Sequence, residues 1–146
     1  MFNIFKSTPK HIFSENGENI IYFDKKKEGI KCKFFKKNGL IDGSFITYYL
    51  AYYCPAEQLP SIKAEFKEGK IVGEATEFSI TSGINAVVED YKEGFLTRKR
   101  IYFTGSNRGE LSSDTKYKVN DKKKGIIIDK IETILRQYNI TNNNIS

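Results

Sequence analysis

Glycine and aromatic residues recur at fixed spacing three times along the chain, and this echo limits the fold to a stack of like units. The copies run from Phe35 to Tyr48, from Phe66 to Phe78 and from Tyr91 to Phe103. In each, an aromatic stands three or four residues before a glycine, which is Gly39, Gly69 or Gly94. Gly43, Gly73 or Arg98 follows that glycine by four, and Tyr48, Phe78 or Phe103 follows it by nine. Repeats of this length mean that one supersecondary unit is stacked several times. A stack of strands presents a surface, and the chain therefore reads first as architecture for binding.

The residues between the glycines are strand formers. Runs at Ile20–Phe23, Ile30–Phe35, Gly43–Tyr53, Ile62–Phe66, Val72–Ile80, Ile84–Tyr91 and Leu96–Phe103 are rich in β-branched and aromatic side chains, which fit a pleated surface. Thr115–Val119 supplies a last short strand. Asn38-Gly39, Glu68-Gly69 and Glu93-Gly94 separate adjacent runs, and such pairs mark tight hairpins. Cys54 to Pro60 reads as a loop, because proline donates no ladder hydrogen bond. The prediction is an all-β antiparallel meander of seven to nine strands.

Beyond the strands the period changes. Ile127, Ile131, Ile134, Leu135 and Tyr138 fall on one face of a helix. Asp121 is a candidate cap, but Lys122, Lys123 and Lys124 oppose the helix dipole and push the start toward Gly125. The helix, over about 125–139, is expected to pack on the sheet. Residues 1–146 form one domain in this reading, with hairpins over about 16–119 and a frayed tail at 140–146. Residues 1 to 12 read as a lead-in strand or arm.

Catalytic signals are missing. His11 is the only histidine, and Cys32 and Cys54 are the only cysteines, too few for a four-ligand zinc site. Both cysteines lie beside aromatic runs, so buried free thiols are expected rather than a bridge. Glu89 and Asp90 are adjacent strand residues and point to opposite faces. The expectation is a non-enzymatic protein with no cofactor and no metal. No stretch has the length of a signal-peptide core or a membrane span, and a cytoplasmic protein is the simplest account.

The formal charge is +6, which fits either an anionic partner or a lysine-rich proteome. Lys25–Lys27, Lys36-Lys37, Arg98–Arg100 and Lys122–Lys124 hold much of it. Arg98 and Arg100 stand out, since the only other arginines are Arg108 and Arg136. Alternation puts Arg98, Arg100 and Tyr102 on one strand face, where arginine forks and an aromatic anchor suit a partner. Phe45 and Tyr49, on another strand, are the second candidate contacts.

The middle copy, Phe66-Lys-Glu-Gly69-Lys-Ile-Val-Gly73-Glu-Ala75-Thr-Glu-Phe78, resembles a MORN repeat. Its wide spacing is similar to bacterial MORN-variant proteins, many of them regarded as antitoxin components of toxin–antitoxin systems. The resemblance covers about residues 16 to 110. The third glycine of the family unit is Phe45, Ala75 or Arg100 here, the second becomes Arg98 in the last copy, and the first copy carries one extra residue before Gly39. The resemblance implies successive hairpins in one elongated, twisted sheet. It also implies a binding role against a cognate toxin or effector protein, as antitoxin or immunity protein. The alternative is a peripheral binder of anionic lipid or nucleic acid.

Overall fold

The computed structural model of the chain describes residues 13–23, 29–50, 58–80 and 83–142. The expectations placed on the N-terminal arm, His11, Lys25–Lys27 and Cys54 lie outside the described residues.

The protein is mainly β. Eight described strands form one open sheet in the order in which they occur: β1 (Gly17–Tyr22), β2 (Ile30–Lys37), β3 (Leu40–Tyr48), β4 (Pro60–Lys67), β5 (Lys70–Phe78), β6 (Asn85–Lys92), β7 (Phe95–Tyr102) and β8 (Leu111–Lys116). Every neighbouring pair is antiparallel. One helix, α1 (Ile126–Gln137), packs on one face. Two expected boundaries shift. Pro60 opens β4 instead of ending a loop, a place where its missing N–H is tolerated. The last strand lies at Leu111–Lys116, four residues earlier at its start than expected, and Val119–Asp121 is a short 3-10 turn.

The glycine echo is a hairpin echo. Asn38-Gly39, Glu68-Gly69 and Glu93-Gly94 all have positive φ at both positions, between 50° and 93°, as two-residue type I′ turns require. Each turn also docks on what precedes it. The Gly39 N–H donates to Glu15 O at 2.9 Å, that of Gly69 to Ile41 O at 2.8 Å, and that of Gly94 to Ile71 O at 2.9 Å. Side chains repeat the device, since Asn16 Oδ1 accepts from Asn38 N and Asp42 Oδ2 from Glu68 N, both at 2.9 Å. The second glycine of the motif serves a bulge. Gly43 and Gly73, with φ of 103° and 69°, lie where the β2–β3 and β4–β5 registers slip by two residues. The β6–β7 register slips by only one residue, at Thr97. That smaller bulge is why Arg98 can replace the glycine.

The helix-side face carries the core. Phe34 and Phe45 stack with ring centres 5.4 Å apart, Phe66 follows at 5.8 Å, and all three are buried. Ile127, Ile128, Ile131 and Leu135 of α1 cover them, with Ile134 and Tyr138 at the margin. Cys32 is a buried free thiol in this core, and burial pushes its pKa up to about 12. Residues 140–142, expected to belong to a frayed tail, are packed on the fold, and the rest of that stretch lies outside the described residues. Ile140 is buried, and Asn142 accepts from Ile41 N and donates to Gly69 O, both at 2.9 Å. Ile41 lies on β3 and Gly69 in the β4–β5 turn, so Asn142 bridges two neighbouring hairpins.

Candidate partner-binding surfaces

Alternation gives each strand one residue set toward α1 and one set away from it. On β6, Glu89 and Tyr91 face the helix, while Val88 and Asp90 face outward. One outward row crosses neighbouring strands as Ile46, Lys63, Thr76, Val88, Arg100 and Asp114. Arg98 and Tyr102 belong to the same outward face of β7, as the sequence predicts. β7 lies near one edge of the sheet and close to the helix start. It is next to the last strand, and Lys99 reaches Glu89 beneath the start of α1 at 3.6 Å.

Both arginine forks are already engaged. Arg98 Nε and Nη2 donate to the two carboxylate oxygens of Asp114 at 2.9 and 2.7 Å. This pairing holds the Asp114 carboxyl below the usual aspartate range and raises Arg98. Arg100 Nη2 reaches Glu74 at 3.3 Å and Asp90 at 3.4 Å, and its buried Nε has no partner among the described residues. The cluster is a cross-strand charge lattice over β5–β8, and its outer rim, with Glu74 and half-buried Tyr102, faces away from α1.

Phe45 does not belong to this surface. It is 0% exposed, locked between Phe34 and Phe66, because its position in the register faces the helix. Tyr49 is half-buried, and its hydroxyl donates to Phe78 O at 2.6 Å. Burial, then the neighbouring Glu77 carboxylate, raises its pKa. Tyr49 borders a groove of about 350 Å³ between α1 and the loop end of the sheet, with Ile62, Thr133 and Ile134. The structure thus brings Arg98, Arg100 and Tyr102 together and separates them from Phe45 and Tyr49.

Sequence reasoning misses Glu89. Its carboxylate is fully buried and accepts from Ile126 N at 2.9 Å, Ile127 N at 2.7 Å and Tyr91 Oη at 2.6 Å. A side chain from β6 therefore caps a helix that begins 37 residues later, supplying the negative charge that a helix N-terminus favours. Asp121, the expected cap, closes the 3-10 turn instead. No local pattern announces a cap of this kind. The one sequence signal is an acidic residue on the apolar phase of an otherwise apolar strand face.

The array ends at β8. Leu96 occupies in β7 the place that Ile41 and Ile71 hold in β3 and β5. Among the described residues no further hairpin docks there. Tyr117 N donates to Thr97 O at 2.9 Å and Leu96 N to Lys123 O at 2.8 Å, so residues 117–123 fold over the end of the array. Within residues 116–124 there are five lysines and one acid, Asp121, and all five lysines are exposed. Among them only Lys124 enters a described ion pair, with Glu132.

Among the described residues, no group of three or more His, Cys, Asp or Glu side chains could hold a metal ion, and no helix is long and apolar enough to cross a membrane. No family model, curated protein or solved structure matches the chain.

Proposed function

We propose that the protein is a cytoplasmic, non-catalytic binding protein of MORN-like build that neutralises a bacterial toxin or effector by direct contact. The observation that carries this reading is the sheet's uncovered face. Three interlocked hairpins hold it rigid, one side is sealed by α1, and the other presents half-exposed Ile46, Tyr48, Phe78 and Tyr102 beside arginines. Aromatic residues and arginine are enriched at protein interfaces, and a preorganised surface loses little entropy on binding. The hairpins with glycine at both repeat positions agree with the MORN resemblance. In this reading Arg98 and Arg100 orient their face through Asp114, Asp90 and Glu74, and Tyr102 is the anchor.

Co-expression with the product of the neighbouring gene tests the proposal. The expected result is growth arrest by that product alone, rescue by this chain, and a stable one-to-one complex. Rescue should fail with Tyr102→Ala while the fold is retained. Normal growth of cells that express the neighbour without this protein removes the reading.

The second reading, a peripheral binder of anionic lipid or nucleic acid, is favoured by the five exposed lysines of residues 116–124, of which only Lys124 enters a described ion pair. Such binding must weaken steeply with salt, because phosphate contacts release counterions. Retention on acidic vesicles or oligonucleotides at low salt, lost at moderate salt, would support it.

A further inference from the structure

Each even-numbered strand before β8 runs straight into a hairpin partner: β2 into β3, β4 into β5 and β6 into β7. β8 alone has none. It pairs with β7 on one side, and the chain then leaves the sheet for the 3-10 turn and α1. The repeat therefore ends in half a hairpin. All six residues of β8 are exposed, and an edge of this kind offers its free N–H and C=O groups to another chain.

The lysines give that edge a polarity. Lys116, Lys118, Lys122 and Lys123 cluster at its C-terminal end without a described ion pair, while Leu111, 49% exposed, stands at its N-terminal end. Asp114, the mid-strand acid, is neutralised by Arg98 and does not repel an incoming carboxylate strongly. The register slips at Ser112, so regular pairing is limited to the stretch from Ser113 onward.

We infer that β8 accepts an extended segment of a partner protein as the missing hairpin strand, antiparallel like every other pair in the sheet. Antiparallel entry places the N-terminal half of the segment beside the lysines and its C-terminal half beside Leu111. The segment is therefore acidic first and apolar last. Main-chain bonds supply the docking and alternate side chains the selectivity. A second copy of this chain suits the edge less well. The residues that self-pairing would bring near the lysines include one acid, Glu110, accompanied by Arg108. The inference rests on the partner-binding reading above but not on which toxin is bound.

The probe is a labelled, capped peptide, ETETVTVT, titrated by fluorescence anisotropy at low salt. Binding is expected, with amide shifts in Ser113–Lys116 by NMR. K118E/K122E/K123E, checked for an unchanged melting curve, should weaken it by roughly tenfold, given that charge pairs at interfaces couple this strongly. The reversed peptide, apolar first, should bind several-fold less tightly. N-methylation at alternate peptide amides should abolish binding in one of its two phases, because it removes strand pairing and leaves the charge. Equal binding by both N-methylated forms reduces the edge to a charged patch and overturns the inference. So does tighter, lysine-dependent binding of a single-stranded oligonucleotide, or dimerisation of the free protein through β8. No binding up to roughly millimolar peptide, the weak end of specific recognition, also overturns it. Because toxin neutralisation is not read in this assay, failure here leaves the proposed function standing, and the reverse holds as well.

Discussion

Glu89 and Gly125 form a single device at the scale of residues. The Glu89 carboxylate and the Tyr91 hydroxyl sit so close to the helix start that a Cβ on Gly125 would lie 2.0 Å from Tyr91 Oη and 2.7 Å from Glu89 Oε1. Both acceptors are buried and cannot swing aside into water. Gly125→Ala should therefore separate cap from helix and destabilise the protein by about 2–4 kcal/mol, the range for leaving buried donors unsatisfied. Glu89→Gln keeps one oxygen for Ile127 N and Tyr91 Oη and turns its NH2 against the part-buried Ile126 N, so its cost should be smaller, about 1–2 kcal/mol. Urea denaturation of the two variants checks the order. If Gly125→Ala is neutral, the close approach is not what selects glycine there. Cys32 makes a second test. Its raised pKa, about 12 through burial, keeps the thiol protonated in the fold while an unfolded thiol ionises near 8.5. Thiol reagents should not label Cys32 in the native protein at pH 8, as peptide mapping of the labelled Cys54→Ser variant would show. The sign for stability follows: the contribution is complete below the unfolded value and is lost as pH rises from about 9 toward 12.

The hairpin is where the sequence is most legible at the scale of elements. A type I′ turn needs two left-handed residues, and that demand is local, so Asn38-Gly39 and its counterparts reveal turns without any knowledge of the core. The helix is legible for the same reason, since its apolar stripe is written within twelve residues. What the sequence hides is long-range. The Glu89 cap joins residues 37 apart, and Phe45 passes for a surface aromatic until the register sets it between Phe34 and Phe66. The carboxylates that occupy Arg98 and Arg100 come from three other positions on β5, β6 and β8. Turn chemistry also leaves room for improvement. Glu93 has a φ of 50°, a region that side chains other than Asn, Asp or Gly enter at a cost of about 1 kcal/mol. Glu93→Asn should therefore stabilise the protein by about 0.5–1 kcal/mol, whereas Gly94→Val, which puts a β-branched residue at a φ of 93°, should destabilise it. Thermal melts of both variants measure the difference, and equal melting temperatures would mean that the turn does not hold this conformation in solution.

The whole molecule is a sheet whose stability is unevenly spread. α1 and its C-terminal extension tie the middle and the early strands together: Glu89 on β6 holds the helix start, Lys31 on β2 reaches Tyr138 at 3.1 Å, and Asn142 closes on Ile41 and Gly69. Phe34, Phe45 and Phe66 lie beneath this strap. β8 contributes no residue to the core, and its side chains are exposed throughout. Local opening is cheapest where few apolar contacts hold a backbone. Amide exchange should thus be slowest in β3 and β4 and fastest, among the strands, in β8. Acid should widen the gap by a route that can be separated from general unfolding. Asp114 has a lowered pKa because Arg98 donates to it. Its contribution is therefore present above the ordinary aspartate value of about 3.9 and is lost as pH falls below it. Exchange in β8, corrected for the intrinsic pH dependence, should then rise between pH 5 and pH 3, taken as roughly the window spanning that value, while β3 and β4 remain protected. Arg98→Gln should show fast β8 exchange already at neutral pH and no further acid step. Uniform protection across all strands, or an acid step that survives in Arg98→Gln, would show that β8 is held by something other than this ion pair.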